Sequence, residues 1–280
     1  MDEMNAGTLD SDTTTADRPV LPRMAELVQT FDWESTPLGP MEKWPDGLKN
    51  TVRILLTSRF SMWMAWGPEL TFLYNDSYAR TTLGKKHPWA LGKPASEVWS
   101  EIWKDIGPLV HGVMDTGEAT WEETLLLILE RSGFPEETYH TFSYSPLEGP
   151  DGKVAGMLCV VIENTTRVIG ERQLSGLSAL SGELAGAISK QDVFAAIERG
   201  LSNHKDMPCT LTYLLNEEGT QLHLVARTGM DADHPAAATI IHLEMEPAAW
   251  PICDVLETDQ AITVDNLPER FPDLPTGCWD

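Results

Sequence analysis

The sequence predicts an α+β architecture: an antiparallel five-stranded sheet with flanking helices, a linker helix, and a second α+β domain. Two strand–turn–strand words and one leucine spacing carry that reading. Residues 66–78, WGPELTFLYNDSY, hold a turn at Gly67-Pro68, a strand over 70–74 and an Asn-Asp-Ser cluster suited to cap a helix. Residues 144–167, YSPLEGPDGKVAGMLCVVIENTTR, hold two strand runs around GPDG and then a polar exit. Leu174, Leu177, Leu180, Leu184 and Ile188 recur every three or four positions, as along one face of a helix.

The elements follow in order. Residues 1–22 are rich in Asp and Thr without apolar periodicity, and read as a disordered acidic tail. MAELVQTF, from Met24, suits a short helix; the prolines of WESTPLGPMEKWPDG then forbid regular structure. Pro45 fits the first turn of a helix carrying Leu48, Val52, Leu55 and Leu56. Strands are expected at 61–66 and 70–74, and Asn75 or Asp76 caps a helix bearing Tyr78 and Leu83. A helical turn over 94–99 precedes a helix over 101–115, stopped by Gly117. Strands over 119–129, 138–146 and 153–163 complete a domain spanning 23–166. A linker helix over 167–190 breaks at Lys190-Gln191-Asp192. The second domain, 191–280, opens with a helix bearing Val193, Phe194, Ile197 and Leu201. It continues with strands CTLTYLLNE and QLHLVARTG around EEGT.

The formal net charge of −23 repels phosphate backbones and anionic lipid surfaces, so nucleic-acid and membrane partners are not expected. No apolar run approaches the ~20 residues that cross a bilayer. The start MDEMNAGTLDSD has no basic or apolar segment of a secretory signal. The scattered Cys159, Cys209, Cys253 and Cys278 form no CxxC pair, which argues for reduced thiols and a cytoplasmic location. The pairs Glu122-Glu123 and Glu136-Glu137 point to opposite strand faces and read as solvated charge.

From FDWESTPLGP through LEGPDGKVAGMLCVVIENTTR and into the second domain, roughly residues 30–280, the chain resembles the N-terminal PAS–GAF region of bacterial sensor histidine kinases. The element order β-β-α-α-α-β-β-β is that of a PAS fold, and the second domain looks like the opening of a GAF domain. The chain is expected to stop inside that domain. The resemblance implies a sensory and dimerisation input module of a two-component phosphorelay, acting on a downstream kinase or other output domain and a response regulator. It also implies a homodimer through the linker helix. A ligand-free dimerisation scaffold, or the input of a phosphatase or cyclic-dinucleotide enzyme, is the alternative.

No catalytic motif is found. The full-length parent is expected to be a protein-histidine kinase, but this chain as given is not read as an enzyme. His204 precedes Pro208 in a loop and is not read as a phosphoacceptor.

The cofactor is left unknown. His111 projects away from the apolar face of its helix, against haem. PASEVW lacks the reactive Cys of LOV-type flavin chemistry, and no Cys precedes the PAS core to hold a bilin. Cys159, Cys209 and Cys253 are expected to be buried as small hydrophobes. Trp99 and Trp103, four apart, are expected to share a helical face. If a small-molecule ligand binds, the family's cavity places Met62, Met64, Phe72, Tyr74, Tyr78, Ile106, Val110 and Phe142 around it. Glu163, Thr165 and Arg167 form the expected signal exit to the linker helix.

Overall fold

The computed structural model describes residues 23–202, 204–244 and 250–276. The tail expected over residues 1–22 and Cys278 lie outside the described residues. The chain divides after Thr165 into two compact units.

The first unit is built on five antiparallel strands: β1 (Ser61–Trp66), β2 (Thr71–Tyr74), β3 (Glu122–Leu129), β4 (Glu136–Glu148) and β5 (Val154–Glu163). Their order, β2-β1-β5-β4-β3, puts the two hairpins side by side with β5 against β1. With the flanking helices this is the architecture expected of a PAS fold. The GPDG turn joins β4 to β5, with Gly149 N–H donating to the Lys153 carbonyl at 2.7 Å.

Register sorts the side chains onto two faces, because successive strand residues alternate. Trp63 lies opposite Tyr74 on one side and Cys159 on the other, and Cys159 lies opposite Tyr144. Those residues share the inner face, which is closed by the helical segments between β2 and β3. Met62, Met64 and Trp66 take the other face. Helix α2 (Asp46–Thr57) packs on β1 there through its buried Leu48, Val52 and Leu55, and so covers that end of the sheet. Helix α1 (Met24–Thr30) is tied to the same unit by Met24 N–H donating to Asp76 Oδ1 at 2.9 Å. The outer face of β3–β5 is left open, and Leu126, Ile128, Val160 and Ile162 are exposed on it.

Asn75 holds the first hairpin to α2. Its buried Oδ1 accepts from the Met62 and Tyr78 N–H groups at 3.2 and 3.0 Å, capping helix α3 (Asp76–Tyr78). Its Nδ2 donates to the carbonyls of Leu55, Ser58 and Phe60. One side chain thus ties the end of α2 and the turn after it to the start of β1 and to the first turn of α3. After a π-helical turn and α4 (Ala95–Val98), α5 (Trp103–Thr116) lies under the sheet. Gly117 closes α5 in the left-handed region at φ 73°, as its position predicted. Trp99 ends α4 and Trp103 starts α5, so the two tryptophans do not share one helix.

The second unit begins in helix α6 (Thr165–Leu184), which leaves β5 after the single residue Asn164. The linker helix is therefore shorter than its leucine spacing suggested. Ile188 lies beyond its end and is fully exposed. Lys190-Gln191-Asp192, expected as a break, is instead the first turn of α7 (Lys190–Leu201). The cause is a capping box: Ser189 Oγ accepts from Asp192 N–H, and the Asp192 carboxylate accepts from Ser189 N–H.

Helices α6 and α7 run antiparallel. Leu180 meets Gly200, Glu183 pairs with Arg199 at 2.6 Å, and His204 lies against Gly176, where any Cβ would collide with its ring. The glycines that lower helix propensity at 176 and 200 are thus points of close approach. Strands β6 (Thr210–Leu215), β7 (Gln221–Thr228) and β8 (Ile240–His242) form a three-stranded antiparallel sheet in that order. Helices α8 (Ile252–Thr258) and α9 (Leu267–Arg270) follow. Cys209 is half-buried and Cys253 exposed, so only Cys159 fills the buried role expected of all three. No described helix is long and apolar enough to cross a membrane.

Candidate ligand cavity and signal exit

Between the inner sheet face and the helices lies a cavity of about 30 Å³. Its walls are Trp63 of β1, Leu127 and Leu129 of β3, His140, Phe142 and Tyr144 of β4, and Cys159 and Val161 of β5. Tyr78, Thr82, Trp99, Ile102 and Ile106 close it from the helical side. The aromatic rings hold one another in place: Trp63 meets Tyr144 edge-on at 5.6 Å, and Tyr78 meets Trp99 at 6.3 Å.

Of the eight residues named from the sequence, the structure brings Tyr78, Ile106 and Phe142 to the cavity wall. Phe72 and Tyr74 share the inner face one layer back, with Phe72 4.9 Å from Trp63. The Tyr74 hydroxyl is engaged with His87 Nδ1 at 2.9 Å. Val110 is buried in the same core without lining the cavity. Met62 and Met64 face away from it, toward α2, because their even positions put them on the other side of β1 from Trp63. His111 is exposed, with its ring edge-on to Trp103.

His140 and Tyr144 were not named, although the period of two that selected Phe142 also selects them. His140 is 2 % exposed. Thr138 Oγ1 donates its only proton to the Leu127 carbonyl at 2.7 Å, so toward His140 it acts as an acceptor. The 3.0 Å contact is therefore His140 Nε2–H donating to Thr138 Oγ1, which leaves Nδ1 as the bare acceptor. That Nδ1 is buried and has no partner. Burial pushes the His140 pKa down to about 4, with Glu163 raising it and Arg131 lowering it further. Burial raises the pKa of Tyr78, Tyr144 and Cys159, so every wall group is neutral at ordinary pH.

The end of β5 is held by a cluster of charges. Arg131 grips Glu163 with two nitrogens at 2.7 and 2.9 Å, Glu136 with a third at 3.1 Å, and the Thr81 carbonyl. Its own carbonyl accepts from Lys85 N–H at 2.9 Å. Gly84 permits that approach: its φ is +55°, and a Cβ there would lie 2.6 Å from the Arg131 carbonyl oxygen. Hydrogen bonding to Glu163 raises the Arg131 pKa. Burial raises the Glu163 pKa, but the Arg131 hydrogen bond and charge outweigh it, so the carboxyl is held below its usual range. Glu136, read as solvated, is a member of this cluster with one oxygen buried. Position alone did not reveal the arginine five residues before it.

Thr165, the first residue of α6, donates to Glu163 Oε1 at 2.9 Å and accepts from Tyr139 N–H at 3.0 Å. Asn164 adds two bonds to β4: its N–H to the Tyr139 carbonyl, and Nδ2 to Thr141 Oγ1 at 2.6 Å. Of the three exit residues named, Glu163 and Thr165 join this clamp. Arg167 pairs with Glu171 along α6. Among the described residues, no group of three or more His, Cys, Asp or Glu is placed to hold a metal ion.

No family model and no curated protein matches the chain. Similar solved structures include a sensory box sensor histidine kinase from Vibrio cholerae, at 12% identity and TM-score 0.30, covering 41% of this chain and 89% of that one. A Rhodobacter sphaeroides LOV protein is 15% identical over 55% of this chain and 89% of its own, at TM-score 0.36. The PAS domain of Bordetella pertussis BvgS is 18% identical over 48% of this chain and 98% of its own, at TM-score 0.31. Likenesses this shallow say nothing of what the chain does.

Proposed function

We propose that the chain is the sensory input module of a bacterial signalling protein, of the PAS–GAF kind that feeds a histidine kinase and its response regulator. The observation that carries this reading is the pairing of His140, in the cavity wall, with Glu163, the last residue of β5. A ligand in the cavity presses on β4 at one residue's remove from the clamp that holds the start of α6. Occupancy then changes the strength of that clamp, and α6 carries the change onward.

In this reading α6 also joins two copies of the chain. Leu174 and Leu177 are 69 % and 63 % exposed, one turn apart, while Leu180 is turned toward α7. A pair of such helices buries both leucines, each contributing about 1.5–3 kcal/mol on full burial. The same exposed leucines, with Leu126, Ile128, Val160 and Ile162 on the open sheet face, support a second reading as a dimerisation scaffold with an empty core.

A visible spectrum of the purified chain, with mass spectrometry of its denatured extract, separates the two. The sensor reading expects a stoichiometric small molecule or binding of one from a panel of small neutral compounds. A protein that is empty and binds none of the panel is a scaffold.

A further inference from the structure

The cavity has one polar demand that nothing in the fold meets. Its wall is neutral throughout, so an ion entering it would lose its hydration without a counter-charge. His140 Nδ1, a bare lone pair in that wall, is the acceptor left without a donor. Thr138 fixes this state, since its proton is committed to Leu127 and only Nε2–H fits against it. An unpaired buried acceptor is costly, and a donor-bearing occupant relieves that cost on binding.

Resting on the sensory reading above, we propose that the cavity takes a small neutral molecule with a single hydrogen-bond donor, and that His140 Nδ1 accepts that bond. The size limit follows from the void, which as it stands holds about one or two waters. The occupant is therefore a molecule of about two heavy atoms, set among Trp63, Tyr78 and Trp99. The low His140 pKa agrees, because an imidazole that stays neutral keeps Nδ1 as an acceptor across the ordinary pH range. The register then makes the sensing atom the cross-strand neighbour of the exit: a bond formed at His140 is formed opposite Glu163.

The test compares methanol with fluoromethane on the full chain. The two molecules have nearly the same size, and only methanol donates an O–H. The expected result is methanol binding about tenfold or more tighter than fluoromethane, read from the shifts of tryptophan indole N–H signals. The ¹⁵N signal of His140 Nδ1 should move to hydrogen-bonded values with methanol and stay put with fluoromethane. His140→Phe should bind the two molecules equally; the comparison in the unmodified protein needs no variant to fold. Equal binding of both molecules to the unmodified chain overturns the donor assignment while leaving the cavity a ligand site. Binding of neither overturns the assignment and the ligand-sensing reading together.

Discussion

His140 and Glu163 face each other across β4 and β5, one in the wall of the aromatic cavity and the other at the last strand position before α6. No intervening residue separates the buried imidazole from the carboxylate that Arg131 holds. The cavity and the exit therefore belong to one short segment of sheet, joined by a single cross-strand pair.

Arg131 is the centre of that exit. Arg131→Met removes the partner of two partly buried carboxylates and the bond to Thr81. It should lower stability by about 2–3 kcal/mol, less than for fully buried charges because the cluster is partly solvated. Chemical denaturation measures the loss, and hydrogen exchange should place the new flexibility at residues 163–167. Gly84→Ala, which drives a methyl group into the Arg131 carbonyl, should loosen the same segment without touching a charge.

Acid should destabilise the first unit through His140. Its folded pKa, about 4, lies below its ordinary 6.5, so the unfolded chain takes up a proton that the folded chain refuses. Stability is then complete above 6.5, falls as pH drops toward 4, and levels off below. The full effect is roughly 3 kcal/mol. Glu163, depressed in the fold, adds a further loss below its ordinary 4.5. Urea titrations of the parent and of His140→Phe across this range should show a flatter profile in the variant.

Asn75→Ala should be among the most damaging single changes, at about 2–4 kcal/mol, because it orphans buried N–H and carbonyl groups around the first hairpin. Asn75→Asp keeps the two acceptor contacts and loses the three donor bonds, so its Tm should also fall.

The dimer reading is tested at α6. Leu174→Glu with Leu177→Glu should convert a dimer to a monomer in sedimentation experiments and leave the melting of the first unit unchanged. A parent chain that sediments as a monomer at high concentration removes α6 as the joint.

The strands, their turns and the helix stops were legible because each rests on local chemistry: alternation in β4 and β5, GPDG between them, Gly117 after α5. The cavity was legible only in part. Phe142 marks a face, and the same period brings His140 and Tyr144 with it; for β1 the choice of Met62 and Met64 over Trp63 picked the wrong parity. Parity is set by which side α2 covers, a tertiary fact. The clamp was hidden for a similar reason, since Arg131 and Glu163 are 32 positions apart and meet only through the pairing of three strands. The capping box that starts α7 is written in the sequence as Ser189 and Asp192, three residues apart.

The coupling of the cavity to α6 is best measured by hydrogen exchange of the chain with and without a bound occupant. Amides of Asn164, Thr165 and the first turns of α6 should change protection together with those of β4 around His140. Changes confined to the strands and helices lining the cavity, with α6 unaltered, would rule the coupling out.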